Sequence, residues 1–160
     1  MNNWLNDMRK HEYWMGLAIQ QANNAIDNDE VPVGAIIVNG EGQELAQGFN
    51  KKEMLFQATA HAEILCIQEA SEKIKNWRLS ECTIYVTLEP CTMCLSALLQ
   101  ARIKQVVFGA YDKKSGSISL GYQLYKDPKL NHQFAVIGGV RHYDCAKLMS
   151  HFFKQKRNSS

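Results

Sequence analysis

The chain of 160 residues has little of what marks a fibrous, disordered or membrane-spanning sequence. With 3 prolines and 10 glycines it is neither collagen-like nor of low complexity. No apolar run approaches the roughly 18 residues that a spanning helix needs, so no integral membrane protein is expected. The opening Met1-Asn2-Asn3-Trp4-Leu5-Asn6-Asp7 lacks the charged-then-apolar pattern of a secretory leader, and none is expected. Cysteine is sparse and odd in number: Cys66, Cys82, Cys91, Cys94 and Cys145. That count, without a leader, argues against a disulfide scaffold and for a reducing, cytoplasmic setting. Each cysteine is then buried packing, a metal ligand or a reactive thiol.

What is present is 46% hydrophobic and 21% charged, enough to bury a real core. The expectation is a single domain over 1–160, ordered over about 8–157, with frayed termini. The net charge of +2 hides an asymmetry. Residues 1–101 hold 7 Lys/Arg against 13 Asp/Glu, whereas 102–160 hold 11 against 3. The second part suits a polyanionic partner, although a solvated basic face has the same composition.

The apolar spacing predicts a first helix over about 10–27, on Trp14, Leu17, Ala18, Ala22, Ala25 and Ile26. Val33 to Val38 reads as a strand, and Asn39-Gly40 as a hairpin turn into a second strand near 43–49. Residues 50–60 read as a loop and 61–75 as a helix. A strand over 83–87 is followed by Pro90 at the start of a helix over 91–101. Strands over 105–109 and 134–137 flank a long loop with room for one short helix, and a last helix spans Tyr143 to Lys156, with Arg157 to Ser160 frayed. A hairpin followed by alternating helices and strands gives an α/β sheet covered by helices on both faces. Trp4, Trp14 and Trp77 read as packing residues, as do Cys66, Cys82 and Cys145.

Two short motifs carry chemistry: His61-Ala62-Glu63 and Pro90-Cys91-Thr92-Met93-Cys94. Either alone has an ordinary structural explanation. Together, each at the start of a predicted helix, they form a donor set. Cys91 and Cys94 share a helix face, and a helix N-terminus favours the thiolate. Two thiolates and the His61 imidazole suit zinc, and three protein ligands leave a fourth position open for water. Cys66, Cys82, Cys145 and His132 lack ligand spacing to either motif, so the site reads as open rather than closed. Glu63, two residues from His61, can reach such a water without binding the metal, and can move its proton to a leaving group.

The pairing of His-x-Glu with Pro-Cys-x-x-Cys is the signature of zinc deaminases acting on nucleobases. Beyond those motifs the chain resembles the bacterial tRNA-specific adenosine deaminases, within the cytidine deaminase-like zinc deaminase superfamily. The resemblance rests on His11 to Met15, Val31-Pro32-Val33-Gly34-Ala35, Thr59 to Glu63, Tyr85 to Cys94, Val106 to Ala110, Asn131-His132 and Phe152-Phe153. It covers roughly residues 8–157. It implies a three-layer α/β/α fold with a mixed five-stranded sheet, and a homodimer with one Zn2+ per subunit. It implies that His61, Cys91 and Cys94 hold the zinc while Glu63 shuttles protons. Water then attacks C6 of adenine, ammonia leaves and inosine forms, at the wobble position of an arginine tRNA anticodon. Asn50 matches the residue that hydrogen-bonds the target nucleotide, and Val33, Ala62 and Leu88 match the base pocket. Asp112, Lys114, Phe152, Phe153 and Lys154 fall in segments that face the anticodon stem-loop in the family.

The chain departs from the family's pattern at Ala58, where Pro is common, in the loop Lys51 to Gln57, and at His151 and Gln155. Met54, Leu55 and Phe56 form an apolar triplet inside that loop, which suits the dimer interface. Phe153 beside Lys154, Lys156 and Arg157 offers a stacking surface with phosphate contacts, while one of Phe152 and Phe153 belongs to the core. Two other readings remain. A deaminase of a free nucleobase or nucleoside, such as guanine or cytosine, would use the same four residues without needing a basic C-terminal helix. A zinc module that binds RNA without catalysis would not need Glu63.

Overall fold

The computed structural model describes residues 3–160; Met1 and Asn2, part of the terminus expected to fray, lie outside the described residues. Helix α1 (Asn3–Asp27) starts well before the predicted position near residue 10. Its buried stripe is His11, Met15, Ala18, Ala22 and Ala25, spaced by three and four as one helix face requires. Trp14 and Leu17 pack at the margin of this stripe. By contrast, Trp4 and Trp77 are exposed rather than packed. The Arg78 guanidinium lies 4.3 Å from the Trp77 ring centre.

Strands β1 (Gly34–Val38) and β2 (Glu44–Phe49) pair as an antiparallel hairpin. Its turn is wider than the Asn39-Gly40 pair predicts. The Asn39 amide donates to the Gln43 carbonyl at 2.9 Å, and Asn39 Oδ1 accepts the amides of Glu41 and Gln43. The asparagine side chain thus does the turning, and the left-handed glycine is Gly42 (φ 77°).

Then follow α2 (Ala62–Ile74), β3 (Thr83–Leu88), α3 (Thr92–Gln100), β4 (Gln105–Ala110), β5 (Ala135–Ile137) and α4 (His142–Asn158). A single 3-10 turn, Leu124–Lys126, interrupts the β4–β5 connection. Pro90 stands one residue before the N-cap Cys91 rather than inside α3, where it ends β3 and keeps Glu89 extended. Helix α4 continues through Arg157 and Asn158, expected to fray, and a Lys156–Asp29 ion pair ties its last turns to the end of α1.

The sheet order is β2-β1-β3-β4-β5. Strand β1 runs antiparallel to both neighbours, while β3, β4 and β5 are parallel. This is the expected mixed five-stranded sheet in three layers. Alternate residues of the strands feed two cores. Ala35, Ile37, Ile84, Val86, Val106 and Phe108 pack with α2 and α3 residues such as Cys66 and Leu95. Ile36, Val38, Tyr85 and Val107 pack with Met15 and Ala18 of α1 and Cys145 of α4. Within the second core His11 Nδ1 lies 2.9 Å from the Tyr85 hydroxyl, and burial lowers the His11 pKa from its ordinary value.

The approach of α1 to β1 is close enough to require glycine. A Cβ on Gly34 would overlap the Ala18 carbonyl oxygen and stand 2.5 Å from the Ala22 nitrogen. The Gly34 amide meanwhile donates to Thr87 Oγ1 at 3.1 Å, pinning the start of β1 beside the end of β3. Gly34→Ala must displace backbone rather than a flexible side chain. It should lower unfolding free energy by about 3 kcal/mol, read as a shifted urea midpoint with unchanged slope.

Candidate active site

Two helices begin side by side at one edge of the sheet. His61 is the N-cap of α2 and Cys91 the N-cap of α3, and among the described residues neither side chain caps its own helix. Both are therefore free for other partners. Cys94 lies in the first turn of α3, on the face it shares with Cys91. His61 Nδ1 stands 3.7 Å from Cys91 Sγ and 3.5 Å from Cys94 Sγ. A tetrahedral zinc with ordinary Zn–S and Zn–N bonds would hold such pairs about 3.6 Å apart. Among the described residues these three form the one group of His, Cys, Asp or Glu whose donor atoms converge, all within 4.8 Å. Soft sulfur with imidazole nitrogen is the donor chemistry of zinc, so the residues present fit such an ion.

The electrostatics follow from the two helix starts and from burial. Hydrogen bonding from Cys94, with His61 assisting against desolvation, pulls the Cys91 thiol down to about 4. The same bond, together with burial, pushes the Cys94 thiol up. The bond to Cys91 raises the His61 pKa. Glu63 is buried in the first turn of α2, and burial pushes its carboxyl up to about 7. A carboxyl poised there can both take and give a proton near neutral pH.

The residues expected to line a base pocket come from separate elements. Val33 and Ala62 are buried in one core cluster, and Leu88 packs against it. Asn50 is buried, its amide donating to the Val33 carbonyl at 3.0 Å and its Oδ1 accepting the Lys52 amide at 3.3 Å. Asp112 Oδ1 accepts the amides of Lys114 and Ser115, so the Asp112–Gly116 segment is an ordered turn. A bridge between Gly116 and Cys91 seats that turn against the N-terminal end of α3, leaving Lys114 exposed. On α4, Phe152 is buried whereas Phe153 and Lys154 are exposed. The core phenylalanine is thus Phe152.

Two buried acids went unmarked in the sequence. Glu89 sits between Leu88 and Pro90 and accepts both the Ser119 hydroxyl and the Ser119 amide, the latter at 3.0 Å. A Cβ on Gly116 would overlap the Glu89 carboxylate and stand 2.5 Å from the Asp112 carbonyl oxygen, and that approach of backbone requires glycine. Glu89 therefore fastens the 112–120 loop to the segment that carries Cys91. Glu30 is the second, in the turn between α1 and β1. For Glu89, a carboxylate directly between Leu88 and Pro90 is the signal that could have found it; Glu30 follows Asn28-Asp29 and carries no such local signal.

The chain belongs to the MafB19-like deaminase family, whose model matches residues 9–157. At closer range it is similar to proteins named tRNA-specific adenosine deaminase. The one from Haemophilus influenzae is 40% identical over 91% of this chain and 84% of its own length. The one from Bacillus subtilis is 40% identical over 94% and 92%. A solved structure from work on A-to-I editing by tRNA:A34 deaminases at the wobble position of transfer RNA is 38% identical. It superposes with a TM-score of 0.81 over 85% of this chain and 98% of that one.

A metal held on this cluster would need both cysteines as well as His61. Cys91→Ala and Cys94→Ala should each purify with less than about a tenth of the wild-type metal content, measured by elemental analysis, because two remaining protein donors cannot complete the site.

Proposed function

We propose that this protein hydrolyses adenosine to inosine at the wobble position of a tRNA anticodon, in an arginine tRNA, with one zinc ion per subunit. One observation carries the reading: about 40% identity over most of the length of tRNA-specific adenosine deaminases coincides with converging His61, Cys91 and Cys94 and a buried Glu63 two residues from His61. The free-base reading uses the same four residues but leaves the basic charge of 102–160 without a role.

His61, Cys91 and Cys94 would hold the zinc, which when bound supplies the Lewis acidity that makes water a nucleophile near neutral pH. Glu63 takes a proton from the attacking water and delivers it to the exocyclic nitrogen. Oxygen bonds to C6, the C6–N6 bond breaks, and the products are inosine and ammonia. Asn50 orients the nucleotide, and Val33, Ala62 and Leu88 enclose the base. A base stacked within a duplex cannot reach a buried carboxylate, so the substrate is an unpaired loop nucleotide turned out of its stack. Asp112, Lys114, Phe153 and Lys154 contact the flanking RNA, and buried Phe152 holds that part of α4 in place. Its place of work in this reading is the cytoplasm, where its tRNA substrate is; among the described residues no helix is long and apolar enough to cross a membrane.

The protein acts as a homodimer in this reading. The exposure of Met54, Leu55 and Phe56 in the single subunit supports a partner over this loop. Replacing all three by Ser should shift the sedimentation profile toward the monomer; an unchanged profile would sink this assignment.

The decisive experiment measures inosine on a short anticodon stem-loop, with free adenosine, cytidine and guanine in parallel. Wild type should convert only the wobble adenosine, with affinity falling steeply as salt rises. Glu63→Ala should keep its zinc and lose turnover by about a thousandfold. Undiminished turnover would refute the role of Glu63, and ammonia from a free base alone would refute the RNA substrate.

A further inference from the structure

The turn between α1 and β1 holds a carboxylate that the proposed reaction does not use. Asp29 is left-handed (φ 59°), and the Glu30 amide closes the helix end by donating to the Ala25 carbonyl at 2.9 Å. That turn leaves Glu30 only 1% exposed. Its Oε1 accepts the Met54 amide at 2.6 Å, while its Oε2 has no hydrogen-bond partner among the described residues. Burying a carboxylate on so few partners is costly, so the position asks for a reason.

The segment that Glu30 grips has few other supports. Lys51 to Gln57 closes on itself through Leu55 N–H to the Lys51 carbonyl (3.0 Å) and Gln57 N–H to the Lys52 carbonyl (3.1 Å). Phe56 is left-handed (φ 54°) and 95% exposed, and Met54 and Leu55 are exposed too, so burial within one subunit does little to hold the apex. One end is tied at Asn50, beside Val33. The base of the loop is closed by Lys51 N–H to the Ala60 carbonyl at 3.0 Å, one residue before His61, and the Gln57 end by Ala60 N–H to the Gln57 carbonyl at 3.1 Å. The segment therefore runs between the base pocket and the metal cluster, and Glu30 reaches its apex from outside.

We propose that Glu30 is a positioning residue for substrate, locking Lys51–Gln57 in place as a wall of the nucleotide pocket through its bond to the Met54 amide. A carboxylate suits this task better than an amide. Charge-assisted hydrogen bonds are roughly twice as strong as neutral ones, and a buried acceptor escapes screening by salt. The inference rests on the assignment of Asn50 and Val33 to the base pocket.

The test pairs amide hydrogen exchange with steady-state kinetics on the stem-loop substrate. Glu30→Ala should speed exchange in a peptide spanning 51–57 by about tenfold relative to β3, raise KM by about tenfold and leave kcat within about twofold. Glu30→Gln keeps the shape and an acceptor but not the charge, and should fall between wild type and Glu30→Ala in both measurements. Unchanged exchange in 51–57, exchange rising equally throughout the chain, or a fall in kcat at constant KM would each overturn the proposal. Should Glu30→Ala fail to fold, Glu30→Gln decides alone, and wild-type exchange and KM in that variant overturn it. Wild-type protein that makes no inosine overturns the substrate assignment instead, and the exchange measurement still decides whether Glu30 anchors the segment.

Discussion

Everything chemical in this protein depends on two helix N-termini meeting at one edge of a sheet. The unpaired amides and the dipoles of α2 and α3 both point toward the His61–Cys91–Cys94 cluster, where they favour negative charge on sulfur. The meeting is made by strand order. Strand β1 is antiparallel to β2 and to β3, so the end of β2 and the end of β3 reach the same edge. The chain leaving β2 supplies His61 and the chain leaving β3 supplies Cys91, although thirty residues separate them in sequence. Glu63 then lies within the apolar surroundings that raise its pKa, and the proton chemistry follows from that burial.

Holding that end of the sheet together is a separate problem, because its loops bury little apolar surface within the subunit. The helical layer solves part of it by close approach: alanines on α1 and Gly34 on β1 bring backbone against backbone and fix where Val33 stands. The loops are held by carboxylates gripping backbone amides. Glu89 holds Ser119, Asp112 holds Lys114 and Ser115, and Glu30 holds Met54. These are bonds to carboxylate oxygens, and those of Glu30 and Glu89 are shielded from solvent. They fix a loop more firmly than a surface ion pair such as Lys104–Glu81, where both side chains stay largely exposed.

The parts legible in the sequence were those governed by local spacing. The i, i+3 relation of Cys91 and Cys94, the helix starts after Ala60 and Pro90, and the β-branched runs of β1 and β3 all appear where the residue pattern places them. Misreadings came where a side chain replaced a backbone rule. Asn39 turns the hairpin with its own oxygen, so Gly42 rather than Gly40 takes the left-handed position. The long N-terminal extension of α1 carries exposed Trp4, Leu5 and Met8, and its helicity has no signature in the buried-face pattern. Composition could not separate Phe152 from Phe153, since adjacent helical residues differ only in which neighbour they meet.

By itself the sequence determined the donor types, the pairing of two thiolates on one helix turn, and a carboxylate two residues from the histidine. Those are relations within a few residues, where covalent geometry and helix pitch leave little freedom. Tertiary structure decided that His61 Nδ1 stands within 3.7 Å of both sulfurs, that Glu63 is buried, and that Glu30 and Glu89 bind loops distant in sequence. Such relations depend on strand order and on the packing of α1 and α2 against opposite faces of the sheet. Burial acts on space rather than on sequence separation, so these distances existed only once the layers had closed.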